Sequence, residues 1–243
     1  MSKITIELVH KIDLLPNITC LIFQSQDIFK FEPGQFLAIE VSPGVHRSYS
    51  LFYCDHKAPA YYTANLKDLE AGKYIGLMIN TKPDGVGSYW AKNIELKQVF
   101  PAIGCNGSFV VQRSLYPKVF VATSTGIAPF IPMIKSVITS DMNQTIMIYF
   151  GALSPSDDFS DSFLGQLASN PNVKVYKCFD NIDPDLTNQT NNLGRVTKVI
   201  QATMTRHQMQ GSDFYLCGNP MMVEATAKLL EENQVQNVYY EKY

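Results

Sequence analysis

No Cys-x-x-Cys pair, no His-x-x-x-His spacing and no run of five like charges occurs in the 243 residues of this chain. Each gap closes off a class of function. The five cysteines, at positions 20, 54, 105, 178 and 217, are odd in number and scattered, which argues against a disulfide framework, a zinc site or a plant-type iron–sulfur cluster. His10, His46, His56 and His207 are too dispersed for a zinc hydrolase, and no metal site is expected. Neither a Gly-x-Ser-x-Gly elbow nor a Gly-x-x-x-x-Gly-Lys phosphate loop is present, so no rival hydrolase or P-loop site is visible. A net charge of −2 without charge runs leaves no footprint for nucleic acid or for an anionic membrane surface. No uninterrupted apolar stretch approaches the roughly 20 residues that span a bilayer. Met1–Glu7 carries no apolar leader, so a soluble, reduced, cytoplasmic protein is expected.

What is present is ample apolar content, 46% of residues, in a chain long enough for two domains. Up to about residue 112 the sequence reads as short strands divided by proline and glycine: Thr5–Val9, Thr19–Gln24, Gln35–Val41, Arg47–Tyr53, Tyr61–Leu66, Tyr74–Asn80 and Ser108–Gln112. That grammar suggests a β-barrel or a sandwich, and an antiparallel β-barrel over 1–115 is expected. From Pro117 strands alternate with helices: Val119–Ala122, helix 127–139, Thr145–Gly151, helix 158–169, Val173–Phe179, helix 195–205, Asp213–Cys217, helix 221–233 and Asn237–Tyr240. Five apolar strands with helical crossovers predict a doubly wound parallel sheet over 116–243, with ligands bound outside the strands' carboxyl ends. The polar segment 184–192 reads as a loop.

Four stretches carry chemistry. In Arg47-Ser48-Tyr49-Ser50, strand geometry puts Arg47 and Tyr49 on one face and Ser50 on the other. A guanidinium for a phosphate, a ring to pack on a flavin and a hydroxyl for a ring nitrogen suit a dinucleotide, although an edge arginine beside a half-buried tyrosine has the same pattern. Gly85-Val86-Gly87-Ser88 opens a helix whose N–H groups and hydroxyl suit a pyrophosphate, or Ser88 is a plain N-cap. In the second half, Ser124-Thr125-Gly126 is the first strand-to-helix turn, and Cys217-Gly218-Asn219-Pro220 follows the fourth strand. A lone Cys217 is either a buried small hydrophobe or part of a site at a strand's carboxyl end.

Taken in order, these stretches resemble the ferredoxin–NADP reductase family. Arg-x-Tyr-Ser resembles its flavin signature and Pro33-Gly34-Gln35-Phe36 the turn before it. Gly85 and Ser88 match its Gly-x-x-Ser loop, and Gly104-Cys105-Asn106-Gly107-Ser108-Phe109 its Gly-x-x-Gly-x-Phe turn, with Cys105 where proline is common. Gly126-Ile127-Ala128-Pro129 resembles its nucleotide loop, with Ser124 in place of the first glycine. Cys217-Gly218-x-Pro220 matches its nicotinamide motif, and Glu241 with Tyr243 the spacing of the plant-type terminus.

The resemblance, over residues 31–243, implies a flavin-binding barrel followed by a nicotinamide-nucleotide domain, with hydride passing from nicotinamide C4 to flavin N5. Ser50 would polarise N5, Cys217 and Glu241 would set the nicotinamide, and Tyr243 would leave the flavin face when substrate binds. Arg47, Ser48, Tyr49, Ser50, Gly85, Val86, Gly87 and Ser88 would hold FAD. Thr125, Gly126, Asp180, Cys217, Gly218, Asn219, Pro220 and Tyr243 would hold the nicotinamide nucleotide. The loops after the second and third strands offer carboxylates rather than cations, so Asp180 reads as a ribose ligand and NADH is favoured over NADPH. The implied function is an NAD(P)H reductase serving a ferredoxin, a flavodoxin or an oxygenase. The alternatives are a reductase of free flavin and a non-catalytic flavin-binding electron-transfer or redox-sensing subunit.

Overall fold

In a computed structural model of the chain, the described residues are 3–27, 29–55, 73–82, 84–140, 144–181 and 191–242. The expected strand Tyr61–Leu66, the terminal Tyr243 and most of the 184–192 segment lie outside them. The chain divides into two compact units, Met1–Val110 with Ala128–Met133, and Val111–Ile127 with Ile134–Tyr243.

The first unit is a closed antiparallel barrel of β1 (Lys3–Leu15), β2 (Ile18–Ser25), β3 (Phe36–Ser42), β4 (Val45–Asp55), β5 (Lys73–Asn80) and β6 (Val99–Asn106), in the order β1-β2-β5-β4-β3-β6. Alternation builds it: Ile4, Ile6 and Leu8 are buried while Lys3, Thr5 and Glu7 face outward. Leu21, Phe23, Leu37, Ile39, Leu51, Ile75 and Leu77 join them in the core. The expected strand Ser108–Gln112 is not regular structure, and the closing strand is β6 instead. Pro101 and Gly104 hide that strand from pattern reading. Pro101 is tolerated because the ladder to β3 ends at Ile39↔Ala102, so only the β1 side is paired at that position. One helix, α1 (Val86–Asn93), crosses between β5 and β6.

The second unit is a parallel sheet of β7 (Lys118–Thr123), β8 (Ile146–Ala152), β9 (Val173–Phe179), β10 (Asn191–Leu193), β11 (Asp213–Gly218) and β12 (Val238–Lys242). Its order is β10-β9-β8-β7-β11-β12, so the chain winds outward from β7 and then returns to its other side. The place where the winding reverses lies between β7 and β11, and this is where such sheets bind ligands. All six residues of β11 are buried, as a strand covered on both faces requires. The helices are α2 (Phe130–Thr139), α3 (Asp161–Ala168), α4 (Val196–Thr203), α5 (Arg206–Gln210) and α6 (Pro220–Glu232). Strand β10 was not expected, because Asn191-Asn192-Leu193 has no apolar run. Backbone pairing with Lys177, Cys178 and Phe179 alone defines it.

At the opposite, amino-terminal end of this sheet a cation is fully buried. Lys118 Nζ lies 2.7 Å from Asp213 Oδ2, the two side chains being 0% and 1% exposed. The hydroxyl of Ser114 donates to the same carboxylate oxygen at 2.5 Å, and Lys118 also donates to that hydroxyl at 2.7 Å. The N–H of Gln112 donates to Tyr215 Oη at 2.9 Å, and Gln144 Nε2 to the Ser114 carbonyl. These bonds fasten the segment before β7 to the base of the sheet.

Candidate functional site

In the first unit, α1 is pinned to the barrel by Trp90. Its ring stacks on Phe23 (6.2 Å, 4°) and meets Phe100 edge-on (5.2 Å, 84°). Tyr49 of β4 also stacks on Trp90, at 6.0 Å and 18°. The helix start is thereby set against β4. A Cβ on Gly87 would lie 2.5 Å from Tyr49 Oη and 3.4 Å from Arg47 Cγ, so only a glycine allows this approach.

The helix start is itself an anion site in its chemistry. Its N-cap is Gly85, without a side-chain cap, and no acidic residue occupies the first turn. Ser88 is therefore not the N-cap but sits in that first turn. The N–H groups at 86–88 have no intrahelical acceptor, and the helix dipole adds partial positive charge. Arg47 is exposed and donates to the His46 carbonyl at 2.8 Å. Burial pushes the Tyr49 phenol up to about 12, against the opposing effect of the Arg47 charge, so it remains an O–H donor at neutral pH. Ser48 is exposed and Ser50, opposite Phe36 of β3, is 5% exposed. A groove of about 360 Å³, lined by Asp84, Gly85, Val86, Ser88, Tyr89 and Lys92, borders the helix start. Arginine, phenol and uncapped amides around a missing side chain fit the phosphates of a flavin nucleotide. Replacing Gly87 with alanine is expected to raise the FAD dissociation constant at least about tenfold, roughly 1.4 kcal/mol, by displacing Tyr49. A flavin titration checks this, with the circular dichroism melt as a folding control; an unaltered constant would show that the close approach is irrelevant.

In the second unit, the turns leaving β7 and β11 interlock where the winding reverses. A Cβ on Gly126 would lie 2.3 Å from the Cys217 carbonyl oxygen and 2.6 Å from Gly218 Cα. Gly218 has φ +131°, and a Cβ there would lie 2.5 Å from Thr123 Oγ1. That hydroxyl accepts from the Asn219 N–H at 2.9 Å. Asn219 then caps α6 by accepting from the Met221 N–H, with Pro220 in the first turn. Ser124, where the resemblance led to glycine being expected, holds φ +52°, and Thr125 is half-buried beside it. The positive φ is retained without the glycine, at a cost of about 1 kcal/mol. Cys217 is fully buried and pairs in register with Glu241 of β12, which is half-buried.

Gly126, Cys217, Gly218, Asn219 and Glu241 are thus brought together at adjacent strand ends. Asp180 is not among them: it follows β9, two strands from β7. The loops after β8 and β9 carry carboxylates, and the segment after β10 brings a cation to them, with Arg195 Nε 3.4 Å from Asp180 Oδ2. Thr123, Trp90 and Arg195 were not anticipated as site residues. Thr123 had a visible signal, a hydroxyl at the carboxyl end of the first strand. Arg195 had none without β10.

Residues 120–228 match the family model of the oxidoreductase NAD-binding domain. The reductase component of propane 2-monooxygenase from Rhodococcus jostii is 26% identical over 88% of this chain and 56% of its own length. The ferredoxin–NAD(P)(+) reductase component of the naphthalene 1,2-dioxygenase system from Pseudomonas putida is 28% identical over 81% of this chain and 55% of its own. The chain thus spans little more than half the length of these relatives. An Amycolatopsis cytochrome P450 reductase has the same fold over 99% of this chain and 69% of that one (TM-score 0.80, 20% identity). So does the FAD/NAD-binding domain of a Vibrio cholerae nitric oxide dioxygenase, over 99% of this chain and 98% of that one (TM-score 0.77, 17% identity). The chain therefore pairs a closed antiparallel barrel with an oxidoreductase NAD-binding domain over residues 120–228, the fold of the reductases it resembles.

Proposed function

We propose that the protein is a flavin-dependent NAD(P)H reductase, its barrel (residues 1–115) holding FAD and its parallel-sheet domain (116–243) holding the nicotinamide nucleotide. The observation that carries this reading is the glycine-on-glycine contact of Gly126 with Cys217–Gly218 where the winding reverses, with Glu241 on the adjoining strand. Glycine at both positions lets the two turns pack backbone on backbone at the strand ends, where such sheets bind nucleotides. Bound FAD would supply the chemistry, accepting hydride from nicotinamide and releasing electrons singly.

The protein's own part is holding and orienting. Arg47 pairs a flavin phosphate, and the amides of 86–88 with the Ser88 hydroxyl take the pyrophosphate. Tyr49 packs on the flavin and donates its phenolic proton, and Ser50 directs its hydroxyl to the ring nitrogen N5. Cys217 and Glu241 fix the nicotinamide; Tyr243 lies outside the described residues. The acceptor is a ferredoxin or an oxygenase component, as the names of the relatives suggest, or else a flavodoxin. NADH is preferred because Asp180 suits a free ribose diol. No helix among the described residues is long and apolar enough to cross a membrane, and we place the protein in the cytoplasm on sequence grounds.

The test is a steady-state assay of the FAD-loaded chain with NADH and a one-electron acceptor such as ferricyanide. Turnover that falls sharply in Ser50→Ala, with FAD still bound, is the expected result; wild-type protein with bound FAD and no turnover on either nicotinamide would sink the proposal. Replacing Arg47 with alanine should weaken FAD by about tenfold or more, since a charge-assisted phosphate bond contributes roughly 1.5–3 kcal/mol. Full flavin retention through desalting would refute that role.

A further inference from the structure

We infer that Thr123 is a positioning residue for hydride transfer, its hydroxyl fixing the turn beside which the nicotinamide is held. The inference rests on the nucleotide site proposed above and adds a residue to it, one that acts through Gly218 and Asn219 rather than on the ligand.

The Thr123 side chain is wedged between glycines on the two neighbouring strands. Thr123 ends β7, half-buried, with Gly151 of β8 opposite it in register. A Cβ on Gly151 would stand 3.0 Å from Thr123 Cγ2 and 2.9 Å from Val196 Cγ1. On the other side, a Cβ on Gly218 would stand 2.5 Å from Thr123 Oγ1, 2.6 Å from its carbonyl oxygen and 2.9 Å from its nitrogen. The methyl thus lies toward β8 and the hydroxyl toward β11. A β-branched side chain in such a slot is stiff at its first torsion, so the hydroxyl is held where it stands.

What the hydroxyl holds is the joint between β11 and α6. It accepts from the Asn219 N–H at 2.9 Å, and the Asn219 side chain accepts from the Met221 N–H at 2.9 Å. Pro220, between them, has no N–H to offer. Gly218 holds φ +131° with no Cβ to confine it, so the bond to Thr123 is what limits the turn. Cys217 and Glu241, paired across β11 and β12, come directly before it. Hydride transfer depends steeply on alignment, and a misplacement of about 1 Å can cost on the order of a hundredfold in rate. A large dinucleotide draws its affinity from many contacts and the alignment of its ring from few, so a loosened turn costs rate before it costs binding.

Two substitutions separate the hydroxyl from the methyl. Thr123→Val keeps the shape and removes the acceptor, whereas Thr123→Ser keeps the acceptor and removes the methyl. Each variant of the FAD-loaded full chain is compared with wild type by thermal melt, by NADH dissociation constant and by the limiting rate at which NADH bleaches the flavin. Thr123→Val should melt near wild type and bind NADH within about threefold, yet bleach about tenfold more slowly. Thr123→Ser should melt lower, having lost its methyl contact at Gly151, and bleach near the wild-type rate. Amide exchange at Asn219, followed by NMR without nucleotide, should quicken about fivefold in Thr123→Val and stay unchanged in Thr123→Ser. Bleaching rates that follow the melts, a Thr123→Val variant that bleaches at the wild-type rate whatever its affinity, or unaltered Asn219 exchange would each overturn the positioning role while the nucleotide site stands. Wild-type protein with bound FAD that NADH never bleaches would sink the nucleotide reading itself.

Discussion

Replacement of Gly126 by alanine is expected to remove nicotinamide-nucleotide binding while leaving flavin binding in place. The added methyl would stand 2.3 Å from the Cys217 carbonyl oxygen, 2.5 Å from its carbon and 2.6 Å from Gly218 Cα, all backbone atoms. No rotamer change relieves such a clash. The two turns belong to β7 and β11, central strands held in register from Lys118↔Asp213 to Ala122↔Cys217, so the strands resist separation. The turns must open instead, and this breaks the bond from Asn219 N–H to Thr123 Oγ1 that sets the start of α6. An overpacked core site typically costs about 1–3 kcal/mol, which here falls on the loops rather than on the sheet. NADH affinity should drop at least about a hundredfold, or roughly 2.7 kcal/mol. FAD content should be normal, because the residues proposed to hold flavin lie in the barrel unit. Fluorescence titration with NADH checks both; wild-type NADH affinity would mean that this glycine contact does not shape the site.

Replacement of Lys118 by methionine is expected to destabilise the second unit by about 3–5 kcal/mol, because it strands a buried carboxylate. Asp213 is 1% exposed, and its Oδ1 already lacks a hydrogen-bond partner, so Oδ2 depends on Lys118 and the Ser114 hydroxyl. Removing the carboxylate too, as in Lys118→Met with Asp213→Leu, should recover most of the loss, since a buried ion pair contributes little against apolar residues of similar volume. Guanidinium denaturation of the three variants gives the comparison. A single variant within about 1 kcal/mol of wild type would show that the pair is hydrated despite its burial.

The legible parts of this molecule were those written locally. Alternation in Ile4, Ile6 and Leu8, glycines opening α1, and the Cys217-Gly218-Asn219-Pro220 turn each announce themselves within a few residues. The barrel followed by a doubly wound sheet was accordingly expected and is present. What stayed hidden depends on distant register. Lysine is a surface residue by default, and only the alignment of β7 with β11 reveals that Lys118 meets Asp213. Trp90 and Tyr49 are 41 positions apart, and nothing near either forecasts their stack. Arg195 reaches Asp180 because the three-residue β10, polar and featureless in sequence, pairs with β9. Pro101 and Gly104 masked the strand that closes the barrel.

The visible absorbance of the FAD-loaded chain, recorded without oxygen before and after adding NADH, tests the central claim most directly. A yellow protein whose flavin band bleaches on NADH and, in a separate sample, on excess NADPH is the expected result. A chain that retains neither FAD nor FMN, or holds flavin that stays yellow with both nucleotides, would contradict it.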